Sequence, residues 1–227
     1  MPLHVTMDAR KEYTREYLEE NIVGKIQGIT IPVNITVSGR HRIFEFGELT
    51  RIIESATTLA QTQCGCRTDM NNCDYPREGC IALDEHAEMW IEKEIGHRIS
   101  KEDALEALQN GVEHGLVNVA YVRDRGKADV ICTCCECCCD SLGAMLRFGY
   151  SDQVLDSRMI ALQDEDACTD CGLCVEACQF KARSMEDGKL VFDDGKCAGC
   201  GLCVRVCESD AISMVEREKG GSEVPFP

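Results

Sequence analysis

The chain has 227 residues, with 24 Lys and Arg against 40 Asp and Glu for a formal net charge of −16, and it carries 18 cysteines. A chain of this length buries an ordinary core without crosslinks, so the cysteines are not staples for a small scaffold. The acidic balance argues against nucleic acid and anionic membrane surfaces and favours a protein partner with a basic docking patch. The first residues are charged and hold no apolar signal segment, and no apolar run reaches the roughly 18 residues of a membrane span. A cytoplasmic location is therefore expected, and there thiols serve metals or redox chemistry.

In chain order, residues 8–20 form a charged, helix-compatible stretch, and Ile31-Pro-Val-Asn-Ile-Thr-Val alternates as a half-buried strand does. Leu49, Ile52, Ile53, Ala56, Leu59 and Ala60 keep helical spacing, which predicts a helix over 47–62. It delivers the chain to Cys64-Gly65-Cys66-Arg67. Cys73 and Cys80 follow at steps of seven, in a turn-rich segment with Asn71, Asn72, Asp74 and Pro76. Such a loop has little apolar content and needs something to fold around, a role a metal centre fills. A second helix runs from Asp84 to a stop at Gly96. A third starts at Ser100, with Asp103 completing an approximate capping box, and ends at Gly111. Leu116–Val122 then reads as a strand, and the section suggests a small α/β scaffold of winged-helix-like shape. No basic recognition helix accompanies it, so DNA binding is not supported.

Residues 131–140 read I-C-T-C-C-E-C-C-C-D, with Cys132, Cys134, Cys135, Cys137, Cys138 and Cys139 in eight positions. An extended run places Cys132, Cys134 and Cys138 on one side and Cys135, Cys137 and Cys139 on the other. A helical run pairs Cys134 with Cys138, or Cys135 with Cys139. Either way the thiols divide into at least two groups. With Cys64, Cys66, Cys73 and Cys80 there are ten upstream thiols, enough for one or two metal centres. Iron–sulfur ligation is the favoured reading. Structural zinc and thiol–disulfide exchange stay open.

Residues 168–178, C-T-D-C-G-L-C-V-E-A-C, return as residues 197–207, C-A-G-C-G-L-C-V-R-V-C, at an offset of 29. Gly172, Leu173, Val175, Ala182, Ser184 and Met185 recur at the same offset. Between the halves, Asp187-Gly188 signals a tight hairpin. Each half is C-x2-C-x2-C-x3-C, and the segment resembles the bacterial-type two-cluster ferredoxins. That resemblance implies two [4Fe-4S] clusters with crossed ligands, Cys168, Cys171, Cys174 and Cys207 for one and Cys197, Cys200, Cys203 and Cys178 for the other. The family pattern places proline after the fourth cysteine. Here Gln179 and Glu208 stand instead, read as surface turn residues, a departure that alters cluster tuning without fixing its sign.

More widely, residues 45–216 resemble four-iron dicluster proteins of anaerobic bacteria and archaea, in which a C-x-C-R element, two further cysteines and a C-x-C-C-x-C-C-C run precede the ferredoxin module. The implied fold is α+β: an N-terminal mixed α/β Cys-rich metal domain over 1–160, a ferredoxin-like dicluster domain over 161–219 and a tail over 220–227. His4, His41, His86, His97 and His114 are scattered and read as surface or packing residues, with His86 or His114 the ones that could serve as an extra ligand. No Gly-rich phosphate loop, Rossmann fingerprint or serine elbow occurs. The expected function is single-electron transfer between redox partners in anaerobic metabolism, as a carrier or as a subunit of an oxidoreductase complex. The alternatives are an oxidoreductase or activator with its reactive site at the upstream cysteines, or a zinc-stabilised redox sensor.

Overall fold

A computed structural model describes residues 10–30, 34–38, 41–45, 47–122, 128–150 and 154–218. The tail over 220–227, His4 and the first part of the strand expected at 31–37 lie outside these residues. Helix α1, Arg15–Asn21, is capped by Thr14, whose Oγ1 accepts from Tyr17 N. It is shorter than the stretch expected at 8–20, since residues 10–14 are not helical. Strands β1, Gln27–Thr30, β2, Asn34–Ser38, and β3, His41–Glu45, follow, the last two pairing as an antiparallel hairpin.

The helix expected over 47–62 divides. Helix α2 spans Gly47–Ser55, and Leu59–Gln63 is strand β4. The break falls at Thr57-Thr58, whose amide groups both donate to Asp84 Oδ1, at 2.7 and 3.4 Å. β-Branched side chains there lose rotamer freedom in a helix and suit a strand. Helix α3, Gly65–Met70, strand β5, Glu78–Leu83, helix α4, Asp84–Glu92, and strand β6, His97–Arg98, come next. Helix α5, Lys101–Glu113, carries the expected capping box between Ser100 and Asp103, but it runs through Gly111 instead of stopping there. Gly111 is needed for close packing: a Cβ on it would lie 2.4 Å from Thr133 Cγ2. The turn falls at Gly115, whose φ is +82°.

Strand β7, Val117–Val122, strand β8, Ala128–Cys134, helix α6, Asp140–Phe148, and strand β9, Val154–Leu155, complete the upstream part. Among the described residues its strands form a seven-stranded sheet of order β6-β4-β5-β8-β7-β1-β9, antiparallel except where β1 meets β9. This is a wide mixed sheet covered on both faces, and it replaces the winged-helix-like shape. Ile53, Leu59, Ile81, Leu108, Ala120 and Ile131 pack between α2, α5 and one face. The period-two alternation of the strands sends Cys80, Cys132, Cys134, Val119 and Tyr121 to the opposite face, where they meet α4, α6 and the C-terminal part.

The C-terminal part repeats itself in space as in sequence. Strand β10, Met159–Gln163, pairs with β13, Ile212–Glu216, and β11, Arg183–Glu186, pairs with β12, Lys189–Phe192. Helices α7, Leu173–Ala177, and α8, Leu202–Val206, start at Gly172 and Gly201 with φ of +77° and +82°. Lys181 and Asp210 repeat the left-handed conformation at the same offset, φ +56° and +54°. Asp187 and Gly188, φ +49° and +78°, form the expected hairpin turn. The molecule is thus α+β, with a Cys-rich upstream part and a ferredoxin-like C-terminal part.

The two parts share a core. Val117, Val119, Tyr121 and Leu142 pack with Phe180, Ala198, Cys200 and Leu202 in one buried cluster.

Candidate metal centres

All 18 cysteines are free thiols, and the fold sorts them into four sets. In the C-terminal part, Cys178 lies with Cys197, Cys200 and Cys203 around a small cavity that Phe180, Arg183 and Gly199 also line. Cys174 lies near Cys171 and Cys207. Cys178 therefore stands beside the first three cysteines of the second run, and Cys207 is grouped with Cys174 and Cys171 of the first. Gly199, φ +72°, lets the second cysteine run pack against β10, because a Cβ there would meet the carbonyl of Met159.

These thiols fit a cationic metal core. Burial pushes the Cys203 thiol up to about 11 and the Cys200 and Cys174 thiols above their usual value, so sulfur in these seats carries charge only when a metal compensates it. The C-terminal part also holds a cation that sequence reasoning missed. Arg183 is buried, donates from Nη2 to Ala161 O at 2.7 Å and from Nη1 to Gln163 Oε1 at 3.1 Å, and stacks on Phe192 at 4.4 Å. It lies close enough to lower the cost of charge on both Cys174 and Cys203, one from each set. A signal for it existed in the sequence, since Arg183 occupies the repeat position filled by the buried, apolar Ile212.

Upstream, the ten thiols divide into four and six. Cys73, Cys135, Cys137 and Cys138 form a buried cage, with all four sulfurs within 4.8 Å of one another. Cys64, Cys66, Cys139, Cys134, Cys132 and Cys80 form a ring of electrostatic neighbours around one cavity. Cys80 and Cys132 face each other across β5 and β8, sulfur to sulfur at 3.2 Å. The ring encloses a cavity of about 280 Å³ that Arg67, His86, Trp90, Asp129 and Asp140 also line. His86 is thus beside the thiols, while His114 bonds the carbonyl of Asn110 at the end of α5.

This partition corrects both geometries expected for residues 131–139. Strand alternation holds through Cys134, where β8 ends. The chain then turns, and Cys139 becomes the N-cap of α6. Cys138 consequently joins Cys135 and Cys137, and Cys139 joins Cys132 and Cys134.

Arg67 links the two upstream sets. It is 1% exposed, donates to Thr133 O at 2.6 Å and to Thr133 Oγ1 at 3.3 Å, and has Cys64, Cys135 and Cys134 as its charged neighbours. A guanidinium buried this deeply needs anions, and thiolates of the two sets are the groups placed to supply them. Tyr121 adds hydroxyl contacts to Cys134 at 3.4 Å and Cys139 at 3.5 Å.

Gln179 is not the surface residue expected. It is buried, its Oε1 accepts from Glu136 N at 3.0 Å and its Nε2 donates to Gly115 O at 2.9 Å. It thereby ties the residue after Cys178 to the turn that carries Cys135 and Cys137. Proline cannot make these bonds. Glu208, its repeat partner, is exposed as expected.

Among the described residues no helix is long and apolar enough to cross a membrane. No curated protein matches the chain. Residues 157–214 match the family model described as a 4Fe-4S dicluster domain, and with its paired four-cysteine runs brought together across an internal repeat this segment is a ferredoxin-type dicluster domain.

Proposed function

We propose that the chain is an iron–sulfur electron-transfer protein that relays single electrons between redox partners of anaerobic metabolism. In this reading Cys168, Cys171, Cys174 and Cys207 hold one [4Fe-4S] cluster, and Cys197, Cys200, Cys203 and Cys178 hold the second. The six-thiol ring holds a further iron–sulfur centre. When bound, such clusters accept and return one electron with little change of ligand geometry. The protein's own part is to fix the sulfurs in the repeat loops and on α7 and α8, exclude water from the buried set and supply Arg183 as a fixed counter-charge.

The observation that carries a relay, beyond an isolated ferredoxin, is the shared core. Cys134 and Cys139 of the ring pack in the same buried cluster as Cys200, so no solvent layer separates the ring from one of the dicluster seats. At the other end, Cys171 is exposed, beside exposed Leu173 and Met185. The exposed acids Glu165, Asp166, Glu176, Glu186 and Asp187 of the same domain suit a partner with a basic patch.

A second reading rests on the ring cavity, which at about 280 Å³ has room beside the thiols and is lined by His86, Asp129 and Asp140. That favours a reactive site where a small molecule is reduced. Anaerobically purified chain, reduced with dithionite, distinguishes these readings. The relay predicts about eight irons and eight sulfides in the dicluster domain, with additional iron and sulfide upstream. It also predicts new paramagnetic signals on reduction and reoxidation by other redox proteins alone. Reoxidation by small molecules favours the reactive site, and a colourless chain without signals refutes both.

A further inference from the structure

We propose that Cys73, Cys135, Cys137 and Cys138 hold a single tetrahedral metal ion, zinc or a lone iron, with no inorganic sulfide. This site is separate from every iron–sulfur centre of the chain and does not depend on the electron-transfer reading.

The cage has the size of one ion. A metal–thiolate bond of about 2.3 Å in tetrahedral geometry sets neighbouring sulfurs about 3.8 Å apart. Cys73 Sγ lies 4.0 Å from Cys135 Sγ and 3.7 Å from Cys138 Sγ. A cubane, which interposes four irons and four sulfides, holds its thiolates farther apart. The dicluster domain supplies the internal comparison: among the described residues no other group of three or more thiols lies within 4.8 Å of one another, the cubane seats and the six-thiol ring included.

The cage is also closed, as sites that fix structure are. All four cysteines are buried, and Met70, Tyr75 and Leu116 pack around them. Asn72 ties the site together from outside: its Nδ2 donates to Cys137 O at 2.7 Å and to Lys11 O at 2.8 Å, and its Oδ1 accepts from Lys11 N at 2.9 Å. Four thiolates around a divalent ion leave two negative charges, and Arg67 stands beside Cys135 to offset part of them. The loop over 71–77, with its asparagines and proline, thus folds around the ion in place of an apolar core. Sequence spacing hid the site because Cys73 is 62 residues from Cys135.

The test uses the full chain purified without oxygen. Metal and sulfide analysis is expected to give either one zinc, or one iron in excess of sulfide. X-ray absorption at the zinc edge should then show four sulfurs near 2.3 Å and no iron neighbour. If the ion is iron, Mössbauer spectra of ⁵⁷Fe-loaded chain should show one high-spin tetrathiolate component. Cys73→Ser should lose that one ion and leave cluster iron and sulfide unchanged. Zinc absent with all iron matched by sulfide, or sulfide lost together with metal in Cys73→Ser, overturns the proposal. Should Cys73→Ser fail to fold, the absorption and Mössbauer measurements on the unaltered chain decide it alone.

Discussion

Arg183→Gln removes a buried positive charge shared by the two dicluster seats while retaining a polar side chain at that position. Arg183 acts electrostatically on both Cys203 and Cys174. An electron added to a cluster spreads beyond its thiolates, so the interaction is taken at a nominal separation of about 6 Å. With an effective dielectric of about 20, one charge is then worth about 2.8 kcal/mol. At about 1.4 kcal/mol and about 59 mV per tenfold for one electron, this corresponds to about 120 mV. The sign follows from charge: a cation favours the reduced, more negative cluster, so its loss lowers both midpoint potentials. Film voltammetry or a spin-resonance redox titration without oxygen reads the shift directly. Arg183→Lys, which keeps the charge but loses the planar fork, should stay closer to the parent. Unchanged potentials in Arg183→Gln, or equal shifts in the glutamine and lysine variants, would refute the role assigned to this charge.

Gln179→Ala removes the two hydrogen bonds to Glu136 N and Gly115 O, each worth about 1 kcal/mol with more for the partners left buried. The urea midpoint should fall, and proteolysis between the two parts should become faster while the dicluster colour persists. Gln179→Pro, which restores the family residue, should behave the same way, and a stabilised proline variant would show that the bonds are unimportant. Gly111→Ala should destabilise by about 1–3 kcal/mol through overpacking against Thr133, despite the better helix propensity of alanine. A raised midpoint in that variant would mean that α5 and β8 are less tightly packed than the 2.4 Å approach requires.

Legibility in the sequence followed the range of the contacts. In the dicluster domain the two cysteine runs recur at an offset of 29, so spacing alone made the dicluster domain legible, and Asp187-Gly188 fixed the hairpin through purely local backbone preference. Upstream, the information is long-range. Gly111 reads as a helix stop from its own propensity, yet its reason for being there is Thr133, on a stretch whose pattern left extended and helical readings both open. Leu59 and Ala60 keep a helical period by coincidence with α2, and only pairing with β5 and β6 makes them a strand. The division of the six-cysteine run depends on where β8 ends and α6 begins, and no fixed period describes a chain that changes conformation between Cys134 and Cys139. Arg67 was visible as part of C-x-C-R, but its place between two thiol sets required the fold.

That placement carries a consequence for charge. One guanidinium serves neighbours from two depots, Cys135 on one side and Cys64 with Cys134 on the other. Under the proposals above the two would share this single cation, so a change of charge in one depot would be felt electrostatically in the other without emptying it.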